Sequence, residues 1–205
     1  MINLNFDVSG GKAVKQLLEE LPEKFRARVL KNALNNTASQ ALKAIYKDTQ
    51  RIYDVKAREF RSTKNKKINI YRATNNRLNA VINIRSRASE LIDFKVSPAK
   101  GDPKNPPNVL TGHIVRANAM KKLFHGRSDN GKSNKAFFVK FRSGHATVAS
   151  RVGSKRLPIA PLWTLSISQM IGAKRMLEII YPSINTILEE QVRKQIGKLK
   201  AKGDL

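Results

Sequence analysis

The sequence predicts an α+β fold: a long N-terminal helix and a C-terminal helix packed on an antiparallel β-sheet, with a Pro-rich loop. Three observations predict it. Residues 22–52 place apolar side chains at helical spacing without a break, residues 78–85 and 135–142 alternate at the strand period, and residues 172–200 return to the helical period. The 205 residues read as a single domain, long enough to bury on the order of 70% of the unfolded surface.

The N-terminal part, residues 1–61, opens with Ile2, Leu4, Phe6 and Val8 alternating with polar neighbours, a short strand that Gly10 and Gly11 stop. Residues 12–21 form a short helix with Val14, Leu17, Leu18 and Leu21 on one side. The long helix follows. Leu30, Leu34, Ala38, Ala41, Ile45 and Ile52 recur at steps of three, four or seven, and Phe25, Val29, Ala33 and Leu42 widen that line into a stripe. Pro22 suits its first turn, because the N–H that proline lacks would be orphaned there anyway. With no Gly or Pro inside, the helix should run for about 45 Å. Lys24, Arg26, Lys31, Gln40, Lys43 and Lys47 lie mostly off the stripe. Asp54 is placed to cap a further short helix over 55–61. A helix-turn-helix there, with Lys56, Arg58 and Arg61 toward DNA, needs a short first helix and a third helix that the sequence does not offer.

Residues 62–96 read as an antiparallel meander lying against the helix stripe. Ile68, Ile70 and Tyr71 open it, Leu78, Ala80, Ile82 and Ile84 share one face of the next strand, and 91–96 gives a third, with turns at Asn75-Asn76 and 86–89. Five residues of 97–108, Pro98, Gly101, Pro103, Pro106 and Pro107, make that stretch a loop, long enough to suggest partner binding or disorder. Residues 109–156 supply hairpins: a strand over 109–117, then 135–142 paired with 144–152 across a turn. A segment over 157–171 leads to the C-terminal helix, 172–200, which Pro182 should interrupt. Its second half carries Ile184, Ile187, Leu188, Val192, Ile196 and Leu199 on one face.

Charge is the dominant compositional feature. Forty Lys and Arg stand against 15 Asp and Glu, a formal net charge of +25, and Asp129 is the sole acid between Asp102 and Glu178. Such an excess attracts polyanions and strains the compact state by self-repulsion, so contact with or proximity to nucleic acid is expected. Without cysteine there are no disulfides or thiolate metal sites. The first residues lack a basic region followed by an apolar core, and no apolar run approaches the roughly 20 residues of a membrane span, so a soluble protein with no membrane partner, made in a cytoplasm, is expected.

Catalytic chemistry finds little support. Gly126-Arg127-Ser128-Asp129-Asn130-Gly131-Lys132-Ser133 fits the phosphate-binding pattern G-x-x-x-x-G-K-[ST]. That loop works only between a strand and a helix whose N-terminal N–H groups hold the phosphates, and here the following residues alternate as a strand. His113, His125 and His145 are irregularly spaced with no carboxylate cluster near them in sequence. Two-metal nuclease chemistry would have to use Glu90 with Asp93, or Asp48 with Asp54, and no acid cluster on a strand supports it. No catalytic, metal or cofactor site is expected. Tyr53, Tyr71 and Phe60, set among Lys and Arg, are either base-stacking groups or core; Trp163 is a core or interface anchor.

Arg156-Leu157-Pro158-Ile159-Ala160-Pro161-Leu162-Trp163, followed by Ser166-Ile167-Ser168-Gln169-Met170-Ile171, resembles the segment of the phage minor tail protein Z family in which Leu-Pro-Ile leads to an aromatic and a Ser-x-x-Gln-Met run. The order of parts is also similar: an Ala- and Asn-rich long helix, the Val55-Lys56-Ala57-Arg58 stretch, a basic β region, that motif and a C-terminal helix. Thr164-Leu165 stands where the family pattern often has Gly-Pro after the aromatic. The resemblance implies a structural virion protein, not an enzyme. Such a protein completes the head-proximal end of a long non-contractile tail, beside the DNA path, and helps join tail to head. It implies a hexameric ring, with the tail terminator and tail tube as neighbours, assembled in the host cytoplasm. Leu157, Pro158, Ile159 and Trp163 are then interface candidates, and Lys64, Lys66, Lys67, Arg72, Arg85 and Arg87 the cations expected to face DNA or a partner. The competing class is a stand-alone basic nucleic-acid-binding protein, such as a nucleoid or ribosome-associated factor.

Overall fold

The computed structural model describes residues 1–7, 11–61, 66–98, 110–127 and 133–205, with backbone alone at 61, 66–67, 124–127 and 133–134. In chain order the elements are β1 (Ile2–Phe6), α1 (Lys12–Glu19), α2 (Glu23–Ile52), α3 (Ala57–Arg61), β2 (Lys66–Tyr71), β3 (Ala80–Ser86) and β4 (Ala88–Glu90). A 3₁₀ turn (Leu91–Asp93) leads to β5 (Lys95–Ser97), β6 (Thr111–His113), β7 (Lys121–Lys122), β8 (Phe124–Arg127), β9 (Ser133–Lys140), β10 (Ala146–Arg151), β11 (Ile159–Pro161) and β12 (Trp163–Ser166). Helices α4 (Ile167–Gly172) and α5 (Lys174–Lys200) complete it. The fold is α+β, with antiparallel sheets and the two long helices at the expected places. Most of the expected Pro-rich loop, residues 99–108, lies outside the described residues.

The chain groups into two compact units. One comprises Met1–Thr49, Lys66–Ser86 and Ser168–Leu205; the other comprises Gln50–Asn65 and Arg87–Ile167.

In the first unit, a three-stranded antiparallel sheet has the order β1-β3-β2. Ile2, Ile84 and Ile68 stand opposite one another across it, as do Leu4, Ile82 and Ile70. Leu4, Ile82 and Ile84 are wholly buried. Along α2 the expected stripe is the buried face: Leu30, Leu34, Ala38, Ala41 and Ile45 lie inside, with Val29 and Ala33 beside them, while Phe25, Leu42 and Ile52 are half-buried. Of the residues off the stripe, Lys24, Arg26, Gln40, Lys43 and Lys47 are exposed and Lys31 is half-buried. Asn35 fastens the helix to the segment leaving β2, donating from Nδ2 to the Ala73 carbonyl at 3.1 Å and accepting from the Ala73 N–H at 2.8 Å. Helix α5 runs antiparallel to α2. Gln191 donates to Gln40 at 3.3 Å, and Met176, Ile180, Ile184, Leu188, Val192 and Leu199 form its buried line.

Two expectations fail in this unit. The third strand beside β2 and β3 is the N-terminal β1, not residues 91–96, because β1 offers an unbroken alternation that pairs with β3 along its length. Residues 91–96 instead form the 3₁₀ turn and β5 of the second unit. Pro182 does not interrupt the C-terminal helix; the break falls at Ala173, which is extended (φ −63, ψ 137), and α5 then runs through the proline. Glu178 and Pro182 are both exposed, so the carbonyl that loses its donor there can turn to water.

The second unit holds a four-stranded antiparallel sheet of order β11-β10-β9-β8, the pair β12-β4, and a small sheet of order β5-β6-β7. The hairpin β9–β10 forms as expected, Ala146 opposite Lys140, and its turn puts Gly144 at φ 83, where a side chain would be strained. Phe94, Leu110, Val148, Ala149 and Leu162 are its core, joined by Tyr53, Val55 and Phe60. Of the expected strand over 109–117, the described residues 110–117 contribute only the three of β6 as strand. Asp54 does not cap α3, which starts at Ala57; its carboxylate turns instead to His113 and Arg116. Arg116 in turn donates from its backbone N–H to the Ile52 carbonyl at 2.8 Å and from Nε to that of Gln50 at 2.7 Å, satisfying acceptors that the end of α2 leaves free.

Candidate interaction surfaces

The G-x-x-x-x-G-K-S stretch lies between two strands. β8 pairs antiparallel with β9, Phe124 opposite Lys135, and Ser133 begins β9 rather than a helix; residues 128–132 are outside the described ones. No helix N-terminus follows the loop, so the element that gives this motif its grip on phosphates is missing. Two of the histidines are tied up locally. His113 places Nε2 2.8 Å from Asp54 Oδ2 and Nδ1 2.7 Å from the Asn118 carbonyl, and Asp54 Oδ1 also takes Arg116 at 3.2 Å. His145 Nε2 is 3.1 Å from both oxygens of Glu90. Asp93 accepts from Arg58 Nε at 2.9 Å and pairs with the same guanidinium through a second nitrogen. Lys56 reaches the Ile92 carbonyl, and burial, with Arg58 beside it, holds its amine below the ordinary lysine value against the pull of Asp93. The helix-turn-helix cations Lys56 and Arg58 are thus engaged inside the second unit. No group of three or more His, Asp or Glu that could hold a metal occurs among the described residues.

The six cations named from the sequence are dispersed. Lys64 lies outside the described residues, and only the backbone of Lys66 and Lys67 is described, in β2. Arg72 and Arg85 are exposed in the first unit and Arg87 in the second, so the six do not form one patch within one unit. Lys67 and Arg85 are nevertheless direct cross-strand partners, on the strand positions that alternate with the buried isoleucines. The same face carries the row Asn3, Asn83 and Asn69, and Asn83 donates to Asn3. Tyr71 is 49% exposed there, whereas Tyr53 and Phe60 are buried, which leaves Tyr71 alone of the three as a stacking surface.

The Leu-Pro-Ile segment presents its apolar residues outward. Leu157 is 66% and Trp163 56% exposed, Pro158 is exposed and Ile159 half-buried in β11; Val152 and Leu165 lie open as well. Trp163 stands opposite Glu90 on β4, the carboxylate that holds His145, and the His145 ring stacks parallel to Phe141 with centroids 6.1 Å apart. The sequence names Trp163; Glu90 comes opposite it only through the β12–β4 pairing, which local spacing does not encode. No helix of the described residues is long and apolar enough to cross a membrane. No family model, curated protein or solved structure matches the chain.

Proposed function

We propose that the chain is a structural protein of a phage particle: a minor tail, or tail completion, protein at the head-proximal end of a long non-contractile tail. It acts stoichiometrically, as a hexameric ring between tail tube, tail terminator and the DNA-filled head, and contributes to head-tail joining. The observation that carries this reading is the exposure of Leu157 and Trp163 in the segment that resembles the family. A tryptophan left open beside other exposed apolar residues of the same segment suits a docking contact, where tryptophan contributes most when the contact closes. The net charge of +25 suits a place beside DNA or acidic neighbours. A second reading, the stand-alone nucleic-acid-binding protein, is favoured by the net charge of +25 and by the exposure of Arg85 and Tyr71 on one face of the first unit's sheet.

Two variants separate these readings. Trp163→Ala with Leu157→Ser should fold normally yet vanish from immunoblots of purified particles. Neutralising Lys64, Lys66, Lys67, Arg72, Arg85 and Arg87 should leave incorporation intact and lower the yield of infectious particles. It should also flatten the salt dependence of DNA binding by about 0.9 log units for each duplex phosphate that the variant no longer neutralises. Absence of the wild-type protein from particles, with strong DNA binding in gel shifts, would favour the stand-alone protein.

A further inference from the structure

Where the antiparallel helices α2 and α5 part company they leave a cleft of about 210 Å³, roughly seven times the share of one water in the liquid. Arg28 and Asn32, one turn apart on α2, form one wall; Gln195, Lys198 and Lys202, at steps of three and four, form the other. The buried Val29 and Leu199 close its base. Three cations therefore line a recess with no carboxylate on its walls. Among the described residues none of these five side chains makes a hydrogen bond or ion pair, and Gln195, only 8% exposed, keeps its amide unused.

The end of α5 explains why the lysines are free. Gly203, at φ 73, lets its N–H reach the Lys200 carbonyl and that of Asp204 reach the Leu199 carbonyl, both at 3.1 Å. The last carbonyls are thus capped by backbone, and Lys198 and Lys202 are not needed for that task. The C-terminal end of α5 carries about half a negative charge, which opposes an anion, but the N-terminal end of α2 lies alongside with the opposite sign. Three full positive charges outweigh the remainder.

We propose that this cleft is a phosphate-binding site, and that the phosphate it takes belongs to a nucleic-acid backbone. The fork of Arg28 matches two phosphate oxygens, Lys198 and Lys202 supply point charges, and Asn32 and Gln195 supply neutral N–H donors that fix the position of the group. The site is separate from the cations named from the sequence and does not depend on the tail reading.

The test compares two variants of equal charge in the full chain. One is Arg28→Gln, Lys198→Gln, Lys202→Gln. The other neutralises the exposed Lys43, Lys47 and Lys174, each roughly 11 residues or more along its helix from the nearest cleft residue and hence about 16 Å or more away. Binding of a labelled short DNA duplex is followed by anisotropy over a salt series. The cleft variant should bind roughly tenfold more weakly than its charge-matched control, with a shallower salt slope, while the control stays near wild type. In wild type, the side-chain amide resonances of Asn32 and Gln195 should shift with duplex at concentrations where equimolar inorganic phosphate leaves them unmoved. Equal losses in both variants would mean that net charge alone binds DNA and would overturn the site. Shifts with inorganic phosphate but not with duplex would overturn the nucleic-acid source, and a defect toward polyglutamate alone would overturn phosphate.

Discussion

Ile45→Ala is the sharpest probe of how this fold is held. Ile45 is 1% exposed in the middle of the buried stripe of α2, and Lys43, two residues earlier, is exposed. Removing three carbons from a buried side chain forfeits roughly 0.8 kcal/mol each, about 2.4 kcal/mol in transfer free energy. The void adds a cavity term, because the surrounding side chains relax only in part, and brings the cost into the range of about 2–5 kcal/mol. For a domain with about 5–15 kcal/mol of stability that is a large fraction. Lys43→Ala should change stability by no more than about 0.5 kcal/mol. Urea unfolding followed by helical circular dichroism measures both. Equal destabilisation by the two substitutions would refute the assignment of the buried face.

Two further expectations concern chemistry. Isothermal titration with Mg-ATP should show no binding at residues 126–133, because strand β9 rather than a helix follows the loop; micromolar binding abolished by Lys132→Ala would overturn this. Burial pushes the Tyr46 phenol from an ordinary 10.0 up to about 12, so the unfolded chain gives up this proton first as pH rises. The contribution of Tyr46 is therefore constant below about pH 10 and is lost between about 10 and 12. Urea midpoints in that window should fall more steeply for wild type than for Tyr46→Phe, and parallel curves would contradict the assignment.

What could be read in the sequence was what local periodicity encodes. The stripe of α2 and the alternation of β3 each declare a face within a few residues, and those faces are the buried ones; in β9 the alternation marks the strand and its pairing with β10, but Phe137 and Val139 are half-buried, Phe141 is exposed, and the buried residue is Ala136 on the other face. Partner choice is not local. Strand β1 joins β3 across some 80 residues, and nothing in the 91–96 run says that it will turn at Leu91–Asp93 instead of continuing a meander. Proline misled for a similar reason. An interior proline breaks a helix when its neighbours lack tertiary support, but residues 176–192 bury an apolar line on both sides of Pro182, and that burial offsets one missing bond. The Leu-Pro-Ile segment was legible as a motif, whereas the exposure of Leu157 and Trp163 and the pairing of Trp163 with Glu90 followed only from the tertiary structure.

The charge excess points to what the surface must meet. Forty Lys and Arg against 15 carboxylates leave 25 cations unmatched even if each acid pairs once, and several acids are spent inside the second unit on Arg58, Arg116, His113 and His145. Asp54 takes His113 and Arg116 beside the end of α2, while most of the described Lys and Arg residues lie exposed. Isolated surface ion pairs contribute about 0–1 kcal/mol, so little stability is forgone pair by pair, but the summed repulsion grows with net charge. A polyanion binding the folded state would relieve that repulsion and stabilise the fold by mass action. A cleft where two helices bring three cations together is a place where that relief would become positional, because a phosphate held by Arg28, Lys198 and Lys202 would also tie α2 to the C-terminal end of α5.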